Sequence, residues 1–365
     1  MLIALFIIIL GVNLFLAFWE KTFKCVILLT NFLIFVLLTG SRDEIDLKSY
    51  LIIYDMPDIV ENGFQILFYG LMKNFHHLGF SFFEFRGLIF GISLFCIYVF
   101  FRKISLNMHL MYSFYMLYLL FLDYIQFRNC FGASLFYVAL LFLVLQKKNW
   151  KIWFSVFVVL ASLVHSSFWA YLIFLLIPSE RWENAKMIKT IALLAFSFSI
   201  FVVFFRNALS FTTDVISIVD GEKSLRYAER STNFGGLYFI FLHLFSSFII
   251  GLMSWKYDDF HGGHYALKVD GELINVKRSL RMIFYVDLLA FALCPFIVYS
   301  ITFYRLLRNL YLLNIAGFSI YGLKNRSVCM TFLLVFYSIL WIFIEFGGDN
   351  FRRLVLPLFE TNVYF

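Results

Sequence analysis

Apolar residues occur in long runs along this chain, and short polar segments separate the runs. The runs cover about residues 2–18, 25–40, 82–101, 108–122, 132–146, 152–178, 190–206, 236–254, 282–301, 306–323 and 327–346. Most have roughly the 17–25 residues that a helix needs to cross the hydrocarbon core of a bilayer. The pattern therefore predicts an all-α fold, a polytopic transmembrane helical bundle.

The composition supports the membrane class. Hydrophobic residues make up 62% of the chain and charged residues 15%, which excludes an ordinary soluble globular protein. The first run lacks a basic flank and a small-residue cleavage site, so we expect a retained span rather than a signal peptide. Since no Ser/Gly-rich linker interrupts the chain, residues 1–365 are predicted to form a single integral membrane domain.

The run at 152–178 is either one long tilted helix or two short helices broken around Val164–Ser167. With a break, about 12 segments cross the membrane, and 17 of the 30 basic residues lie in inward loops. A single helix would invert every later loop and divide the lysine-rich loops between both faces. Because basic residues collect on the cytoplasmic side, the charge pattern favours a break near His165.

Lysine and arginine separate by face in this topology. Twelve of the 15 lysines lie on the inner side. Ten of the 15 arginines lie outside or at outer helix ends: Arg42, Arg86, Arg128, Arg206, Arg226, Arg230, Arg305, Arg308, Arg352 and Arg353. Guanidinium groups pair bidentately with phosphate, so the outer face is expected to bind an anionic, phosphate-bearing ligand. Anchoring to lipid headgroups is the alternative explanation for most of these arginines individually.

Three kinds of outer segment are long or charged enough to hold a site: residues 41–81, residues 207–235, and the short arginine-bearing turns at 123–131 and 302–309. Residues 41–81 form an outer loop in which apolar positions 64, 67, 68, 71 and 72 recur at helical spacing. This spacing predicts an amphipathic helix lying along the membrane interface. Residues 207–235 form a second, polar outer loop.

Three sites along the chain combine ionisable groups with unusual surroundings. Arg128 precedes the small residues 132–134, which would let a neighbouring helix approach closely. His165 lies at the predicted helix break, where it would act as a general base or donate to a phosphate, or else bond to freed backbone. Arg305 and Arg308 share one helix face, so an anion between them would neutralise both.

The sequence contains no phosphate-cradling Gly-rich loop, no Gly-x-Ser-x-Gly elbow and no His-Glu-x-x-His motif. His261 and His264 have a His-x-x-His spacing, but two glycines separate them and no further ligand cluster follows. We interpret this segment as a solvated loop. No metal and no other cofactor is therefore expected.

Several segments together resemble the EpsG-like branch of the Wzy-type oligosaccharide repeat-unit polymerases. The resemblance rests on short motifs in a matching order: Arg42 with Asp46 and Tyr50; Glu61-Asn62-Gly63-Phe64; Phe127-Arg128-Asn129 with Gly132-Ala133-Ser134; Leu163-Val164-His165-Ser166-Ser167; and Tyr304-Arg305. The family usually has glutamine where this chain has Asn129 and proline where it has Asn62.

The resemblance implies a metal-independent glycosyltransferase of a bacterial cytoplasmic membrane. A glycan on undecaprenyl diphosphate would pass to a lipid-linked repeat unit on the outer face, building O-antigen, capsule or exopolysaccharide. Its expected partners are this lipid-linked oligosaccharide, membrane lipid and a chain-length regulator, with no nucleic acid.

The same resemblance suggests roles for the candidate residues. Arg128 and Arg305 would bind the diphosphate, and Arg42 and Arg308 would assist them. The general base would be one of three residues, which the sequence does not rank: Glu61, Asp46 and His165.

Two other functions fit parts of the pattern. A flippase or transporter for lipid-linked oligosaccharides should show a polar path across the membrane, whereas here most charges lie at the rim. A ligase of the O-antigen type would use the same lipid-diphosphate donor with another acceptor, so its donor recognition would look alike.

Overall fold

The chain's structure is a computed structural model. It describes residues 1–19, 22–42, 46–56, 65–105, 107–177, 189–190, 192–194, 196–197, 200, 235–260, 266–269, 272–325 and 328–364. The chain forms two compact units. Unit 1 comprises Met1–Trp169, Leu267–Ile274 and Phe318–Phe365, and unit 2 comprises Ala170–Ala266 and Asn275–Gly317.

Helices dominate both units. Up to residue 176 the elements are α1 (Leu2–Trp19), α2 (Lys24–Gly40), α3 (Leu47–Asp55), α4 (Ile66–His77), α5 (Phe82–Ile104), α6 (Met108–Phe114), a π-helical turn (Tyr115–Leu119), α7 (Leu120–Ile125), α8 (Phe127–Leu145), α9 (Trp150–Val164) and a 3₁₀ helix (Ser166–Leu176). From residue 235 they are α10 (Gly235–Phe260), β1 (Ala266–Val269), β2 (Glu272–Asn275), α11 (Val276–Ala290), a 3₁₀ turn (Phe291–Leu293), α12 (Cys294–Tyr299), a 3₁₀ turn (Ile301–Tyr304), α13 (Arg305–Arg308), α14 (Tyr311–Asn325), α15 (Val328–Phe346), α16 (Asn350–Leu354) and α17 (Pro357–Glu360).

The predicted multi-pass helical class is confirmed. Six helical segments of the described chain are long and apolar enough to cross a bilayer: Leu2–Trp19, Phe82–Ile104, Met108–Ile125, Phe127–Leu145, Gly236–Ser254 and Val276–Val298. A bent pair, Phe332–Phe346 with Asn350–Glu360, would make seven. The count of about 12 spans stays a prediction, because most of the run at 190–206 lies outside the described residues.

The paired strands β1 and β2 are a small departure from a purely helical fold. They lie in the segment between α10 and α11 that the charge pattern places on the inner side. The helix predicted from the apolar positions 64–72 is present from Ile66 onward as α4, with Phe68 and Met72 buried, while residue 64 lies outside the described residues. Its position along the membrane interface stays a prediction. A further helix, α3, precedes it.

Helices α5 and α8 of unit 1 run parallel. The ring centroids of Phe90 and Phe127 lie 5.0 Å apart, and those of Phe100 and Tyr137, ten residues further along each helix, lie 5.2 Å apart. The N-terminal ends of both helices therefore lie at the same end of the unit.

Helices α2 and α5 run antiparallel. A Cβ atom added at Gly87 would lie 4.0 Å from Cγ2 of Thr39, and one at Gly91 would lie 3.8 Å from Cε2 of Phe35. From Gly87 to Gly91 the residue number rises along α5, while the contacted residue falls from Thr39 to Phe35 along α2, so the two helices point in opposite directions. The C-terminal end of α2, with Arg42 just beyond it, accordingly meets the N-terminal end of α5.

Helices α8 and α9 also run antiparallel. Phe142, near the C-terminal end of α8, stacks on Trp153 near the start of α9 at 5.9 Å. Gly132, near the start of α8, contacts Phe168 just beyond the end of α9. The C-terminal end of α2, the N-terminal ends of α5 and α8, and the residues after α9 thus share one end of the bundle, which we call the arginine end of unit 1.

A capping box starts α5 at this end. The amide of Ser81 donates to Oε2 of Glu84 at 2.7 Å, and the amide of Glu84 donates to the Ser81 hydroxyl at 3.4 Å. The two residues satisfy each other's backbone donors, which would otherwise lack partners in the first turn. This local pairing fixes where α5 begins.

The predicted helix break at His165 is confirmed. Helix α9 ends at Val164, and His165 is extended, with φ −148° and ψ 118°. A 3₁₀ helix then starts at Ser166. Whether the segments on either side each cross the membrane stays a prediction.

The core of unit 2 holds a buried polar cluster. Asp287 lies in the middle of the candidate span Val276–Val298 and is fully buried. With the Asn314 amide oriented toward it, the Asn314 nitrogen lies 3.1 and 3.2 Å from the two carboxylate oxygens, and the Asn314 oxygen accepts from Ser246. His243 Nε2 lies 2.7 Å from the Asp287 carbonyl oxygen. These contacts tie α10, α11 and α14 together.

Candidate functional site

Arg128 is the centre of a polar cluster at the arginine end of unit 1. Its Nη1 donates to Oε1 of Gln65 and, at 2.7 Å, to the hydroxyl of Tyr69. Both partners belong to the segment that leads into or forms α4. The guanidinium is half-buried, and its Nε has no hydrogen-bond partner among the described residues. Because this Nε is buried, the donor that remains for an anionic ligand is Nη2, which makes no hydrogen bond to a described residue.

Tyr50 lies close enough to both Arg128 and Asp46 for their charges to act on it. Burial raises the pKa of Tyr50 to about 12, the nearby Arg128 charge lowers it, and the Asp46 carboxylate raises it further. The phenol ring packs edge-on against Phe127 at 5.8 Å. Since Asp46 is exposed while Tyr50 is buried, the carboxylate lies at the surface of this cluster. We call Asp46, Tyr50, Gln65, Tyr69 and Arg128 the Arg128 cluster.

Arg42 lies on the ring of Phe83 at the same end. Its Cζ is 3.6 Å from the ring centroid, and its Nη1 donates to the Thr39 carbonyl at 2.9 Å. Phe83 follows Phe82, whose ring packs against Phe127 at 6.3 Å. Neighbouring aromatic residues thus join the surroundings of Arg42 to those of Arg128.

Arg86 is completely buried beside Arg42. Its relative exposure is 0%, and its Nη1 donates to the Ser41 carbonyl at 3.0 Å. A buried guanidinium is costly unless it is paired, so Arg86 fixes the backbone that carries Arg42. The sequence suggested only an arginine at an outer helix end, because no local pattern distinguishes a buried arginine from an interfacial one.

The C-terminal segment Pro357–Tyr364 forms a clasp on the end of α2. The Val363 amide donates to the Gly40 carbonyl at 3.0 Å, and the Asn362 side chain donates to the Val36 carbonyl at 3.1 Å. The amide of Arg42 donates to the hydroxyl of Thr361 at 3.3 Å. Gly40 allows this approach, because a Cβ atom there would clash with the Asn362 side chain. The clasp therefore sets the position of Arg42.

His165 is held by local contacts. Its Nδ1 accepts from the Ser167 amide at 3.3 Å and lies 3.0 Å from the Ser167 hydroxyl. An Nδ1 atom that accepts a hydrogen bond places the proton of a neutral imidazole on Nε2. This tautomer suits His165 as a hydrogen-bond donor to a ligand better than as a base.

Gly132 allows the chain around His165 to pack tightly on α8. A Cβ atom at Gly132 would lie 2.6 Å from Cε2 of Phe168, and the Phe168 ring is fully buried. The close approach predicted from the small residues at 132–134 is confirmed. Phe168 also packs against His165, with ring centroids 6.2 Å apart.

We expect Gly132→Ala to destabilise unit 1 by about 1–3 kcal/mol, because the added methyl group overlaps the Phe168 ring. Thermal unfolding of the purified chain measures the effect. Gly11→Ala is the matched control, since nothing lies within 4 Å of that position in α1. Adding Phe168→Leu should restore part of the loss, and an unchanged melting temperature for Gly132→Ala would contradict the close contact.

Unit 2 holds the other two candidate arginines on α13. Arg305 is half-buried. Arg308 is buried, and its Nη1 donates to the hydroxyl of Tyr304 at 3.2 Å. The Tyr304 ring stacks on Phe239 of α10 at 4.4 Å. Arg305 is therefore the more available of the two cations.

The 3₁₀ helix Ser166–Leu176 supports this turn of unit 2. The Tyr171 hydroxyl donates to the Leu306 carbonyl at 2.9 Å, and both residues are buried. The bond fixes the backbone between Arg305 and Arg308.

The structure brings four of the seven predicted site residues to one end of unit 1: Arg42, Asp46, Arg128 and His165. Arg305 and Arg308 lie together in unit 2. Glu61 lies outside the described residues, as does all but the last residue of the loop at 207–235. Asp287 and its partners were not predicted, because an isolated carboxylate in an apolar run gives no periodic signal.

Metal-ligating side chains do not converge in the parts of the chain that the structure describes. There, no three histidine, cysteine or carboxylate side chains form a group that would hold an ion.

Comparison with known proteins identifies a family. The sequence model of the EpsG family matches residues 25–352. No curated protein and no solved structure matches the chain. The matched range includes every candidate site residue described above.

Proposed function

The chain belongs to the EpsG family, and we propose that it is a polysaccharide repeat-unit polymerase of a bacterial cytoplasmic membrane. Family membership indicates a polysaccharide polymerase-type function. In our proposal, the donor is a glycan on undecaprenyl diphosphate, and the acceptor is a lipid-linked repeat unit. The reaction takes place at the outer face and needs no metal or other cofactor.

The Arg128 cluster is the observation that carries this proposal. It combines a guanidinium that retains free donors with an exposed carboxylate near the same tyrosine. A glycosyl transfer from a lipid diphosphate needs both groups, because the leaving diphosphate gains charge while the acceptor hydroxyl loses a proton.

In the proposed reaction, one bond forms and one bond breaks at the anomeric carbon of the donor. The acceptor hydroxyl oxygen bonds to the anomeric carbon of the donor, and its proton passes to a carboxylate. The bond between that carbon and the diphosphate oxygen breaks, and the electron pair remains on the diphosphate. Guanidinium groups stabilise this charge, so undecaprenyl diphosphate leaves without a metal.

We assign roles from burial and hydrogen bonding. Arg128 binds the diphosphate, and Arg42 assists from its position on Phe83. Arg305 binds phosphate in unit 2, while the buried Arg308 supports that turn. Asp46 is the base among the described residues because it is exposed beside Tyr50, and His165 donates a hydrogen bond through Nε2. Glu61 remains a second candidate base.

A transporter would need polar groups along a path through the spans. Asp287 is one intramembrane carboxylate, but its oxygens face Asn314, and Asn314 in turn faces Ser246. This closed set of contacts explains Asp287 as a link between packed helices. The contacts therefore favour chemistry at one end of the bundle over transport.

Polymer length in cells that lack the gene tests the function. We expect the deletion strain to make a single-repeat product and the wild-type gene to restore a ladder of longer glycans on a gel. If the deletion instead abolishes surface glycan and traps lipid-linked units inside the cell, the protein is a flippase. If lipid-linked polymer forms but never reaches its final acceptor, the protein is a ligase.

A further inference from the structure

Gln65 and Tyr69 turn the same face of α4 toward Arg128. The amide of Tyr69 donates to the carbonyl of Gln65 at 3.3 Å, so the two side chains lie one helical turn apart on one face. Oε1 of Gln65 and the hydroxyl oxygen of Tyr69 both accept from Nη1 of Arg128, the latter at 2.7 Å. Both N–H groups of Nη1 therefore have a partner.

These hydrogen bonds occupy acceptor atoms and leave donors available. Because arginine has donors only, the Gln65 amide turns its oxygen toward Arg128 and its NH₂ group away. The Tyr69 oxygen accepts from the same Nη1, so its own O–H points elsewhere. Among the described residues, the NH₂ group of Gln65, the O–H of Tyr69 and Nη2 of Arg128 have no acceptor. The three side chains together present hydrogen-bond donors.

The available nitrogens are accessible. Nε of Arg128 is buried without a partner, whereas Nη2 of Arg128 and Nε2 of Gln65 are not buried. All three side chains are half-buried, so a ligand can approach them from one side. An acceptor-rich ligand is what this arrangement suits.

Apolar packing holds α4 in place next to these hydrogen bonds. Phe68 is fully buried, and its ring lies 5.7 Å from that of Phe127. The Tyr69 ring centroid lies 5.8 Å from Cζ of Arg128, within the range of a cation–π contact. The pair Phe68 and Phe127 positions the helix, while the pair Tyr69 and Arg128 orients the guanidinium. The Tyr69 hydroxyl can therefore be removed while the packing of α4 remains.

The charge of Arg128 is not cancelled within this arrangement. Its partners Gln65 and Tyr69 are neutral, and it forms no ion pair with any carboxylate in the part of the chain that the structure describes. Neutral acceptors fix a guanidinium and leave its charge for a ligand. A diphosphate matches this set of donors better than a phospholipid headgroup, because it has more charge and more terminal oxygen atoms.

We propose that Gln65 and Tyr69 are further ligand-binding residues, which donate together with Nη2 of Arg128 to the diphosphate of the donor. This inference rests on the proposed function, because that reaction supplies the diphosphate. Negative charge grows on the diphosphate as its bond to the anomeric carbon breaks. Donors that already point toward the ligand stabilise this charge without rearranging.

Two substitutions test the proposed donors. Tyr69→Phe keeps the ring and removes the O–H group. Gln65→Glu keeps an acceptor for Nη1, replaces the NH₂ group with oxygen and adds a negative charge beside Arg128. The probe is radiolabelled undecaprenyl diphosphate, added to the purified full chain in phosphatidylcholine nanodiscs. We expect binding about tenfold weaker for Tyr69→Phe and about 100-fold weaker for Gln65→Glu.

Stability separates ligand binding from a structural role. Gln65→Glu should melt no lower than the wild type, because a carboxylate pairs with a guanidinium more strongly than an amide does. If Gln65 had only a structural role, this variant would bind the probe as the wild type does. Gln65→Met, which removes the donors without adding charge, replaces any variant that fails to fold.

Each substitution has a matched control. Tyr54→Phe also removes a phenol hydroxyl at this end of unit 1, but the Tyr54 hydroxyl donates to the Phe80 carbonyl at 2.8 Å. Asn74→Asp also changes an amide to a carboxylate on α4, at an exposed position. Both control proteins should bind the probe with wild-type affinity. Unlabelled undecaprenyl diphosphate should compete with the probe, and phosphatidylglycerol at the same concentration should not.

Unchanged binding in both folded variants would overturn the proposal. Equal competition by phosphatidylglycerol would also overturn it, because the site would then bind bulk phospholipid. The glycan ladder of the same strains keeps the two proposals apart. Unchanged binding with a wild-type ladder refutes these two donors and leaves the polymerase function intact. Weakened binding, together with lipid-linked units trapped inside the deletion strain, refutes the polymerase function and leaves the diphosphate site.

Discussion

Arg128→Ala should reduce polymerisation about 100- to 1,000-fold, the usual cost of removing one donor that stabilises developing negative charge. Arg128→Lys should still lose about 10- to 100-fold. Lysine keeps the charge but lacks the planar fork, and it cannot donate to Gln65 and Tyr69 while it also holds two phosphate oxygens. Initial rates of polymer formation from purified lipid-linked repeat units measure both variants.

Arg352→Lys is the matched control for Arg128→Lys, because Arg352 is exposed on α16. It should polymerise at the wild-type rate. Melting temperatures show whether Arg128→Lys remains folded. A folded Arg128→Lys protein with the wild-type rate would refute bidentate recognition of the diphosphate by this residue.

Arg305 and Arg308 should respond differently to the same substitution. Arg305→Lys is expected to lower the polymerisation rate about 10- to 100-fold at unchanged stability, because the half-buried Arg305 side chain is available to a ligand. Arg308→Lys should lower the free energy of unfolding by about 1–3 kcal/mol, because the buried guanidinium and its bond to Tyr304 are lost. Rates and melting temperatures of the two purified variants test this difference.

Arg353→Lys, at another exposed position of α16, is the control for both substitutions. If Arg305→Lys loses stability as much as Arg308→Lys does, and keeps its rate per folded molecule, then Arg305 has a structural role and does not bind phosphate.

The sequence predicted the elements whose signal is local. The apolar run at 82–101 corresponds to α5, and the charge pattern located the break that the structure has at His165. The first prediction rests on the cost of placing charges in hydrocarbon, which can be assessed for one segment alone. The second rests on the distribution of basic residues over all the inward loops.

Features that depend on distant partners were not predictable. Helix α3 is short and polar in its first turn, and it is stabilised by the burial of Tyr50 and Tyr54 against other aromatic residues. Arg86 looked like one of several outer arginines, although the backbone of Ser41 holds it in the interior. Spacing and composition mark neither the aromatic residues that pack against α3 nor the Ser41 carbonyl that binds Arg86.

The candidate site also combines features that the sequence predicted with features that depend on distant partners. The sequence indicated arginine chemistry at one face, and in unit 1 the structure places Arg42 and Arg128 at one end of the bundle. Their partners, such as Gln65, Tyr69 and Thr361, were not predicted, because a hydrogen bond between segments leaves no periodic trace. The different roles proposed for Arg305 and Arg308 could not be predicted either, because they depend on how deeply each side chain is buried in the structure.

The clasp formed by Pro357–Tyr364 bears on how the protein is handled in the laboratory. The family match ends at residue 352, so a recombinant fragment cut to the matched boundaries would lack Thr361 and Asn362. Such a fragment would retain every candidate site residue and yet lose the support that orients Arg42. Fragments made for expression should therefore keep residues 353–364, because the limits of a family alignment are not the limits of the folded chain.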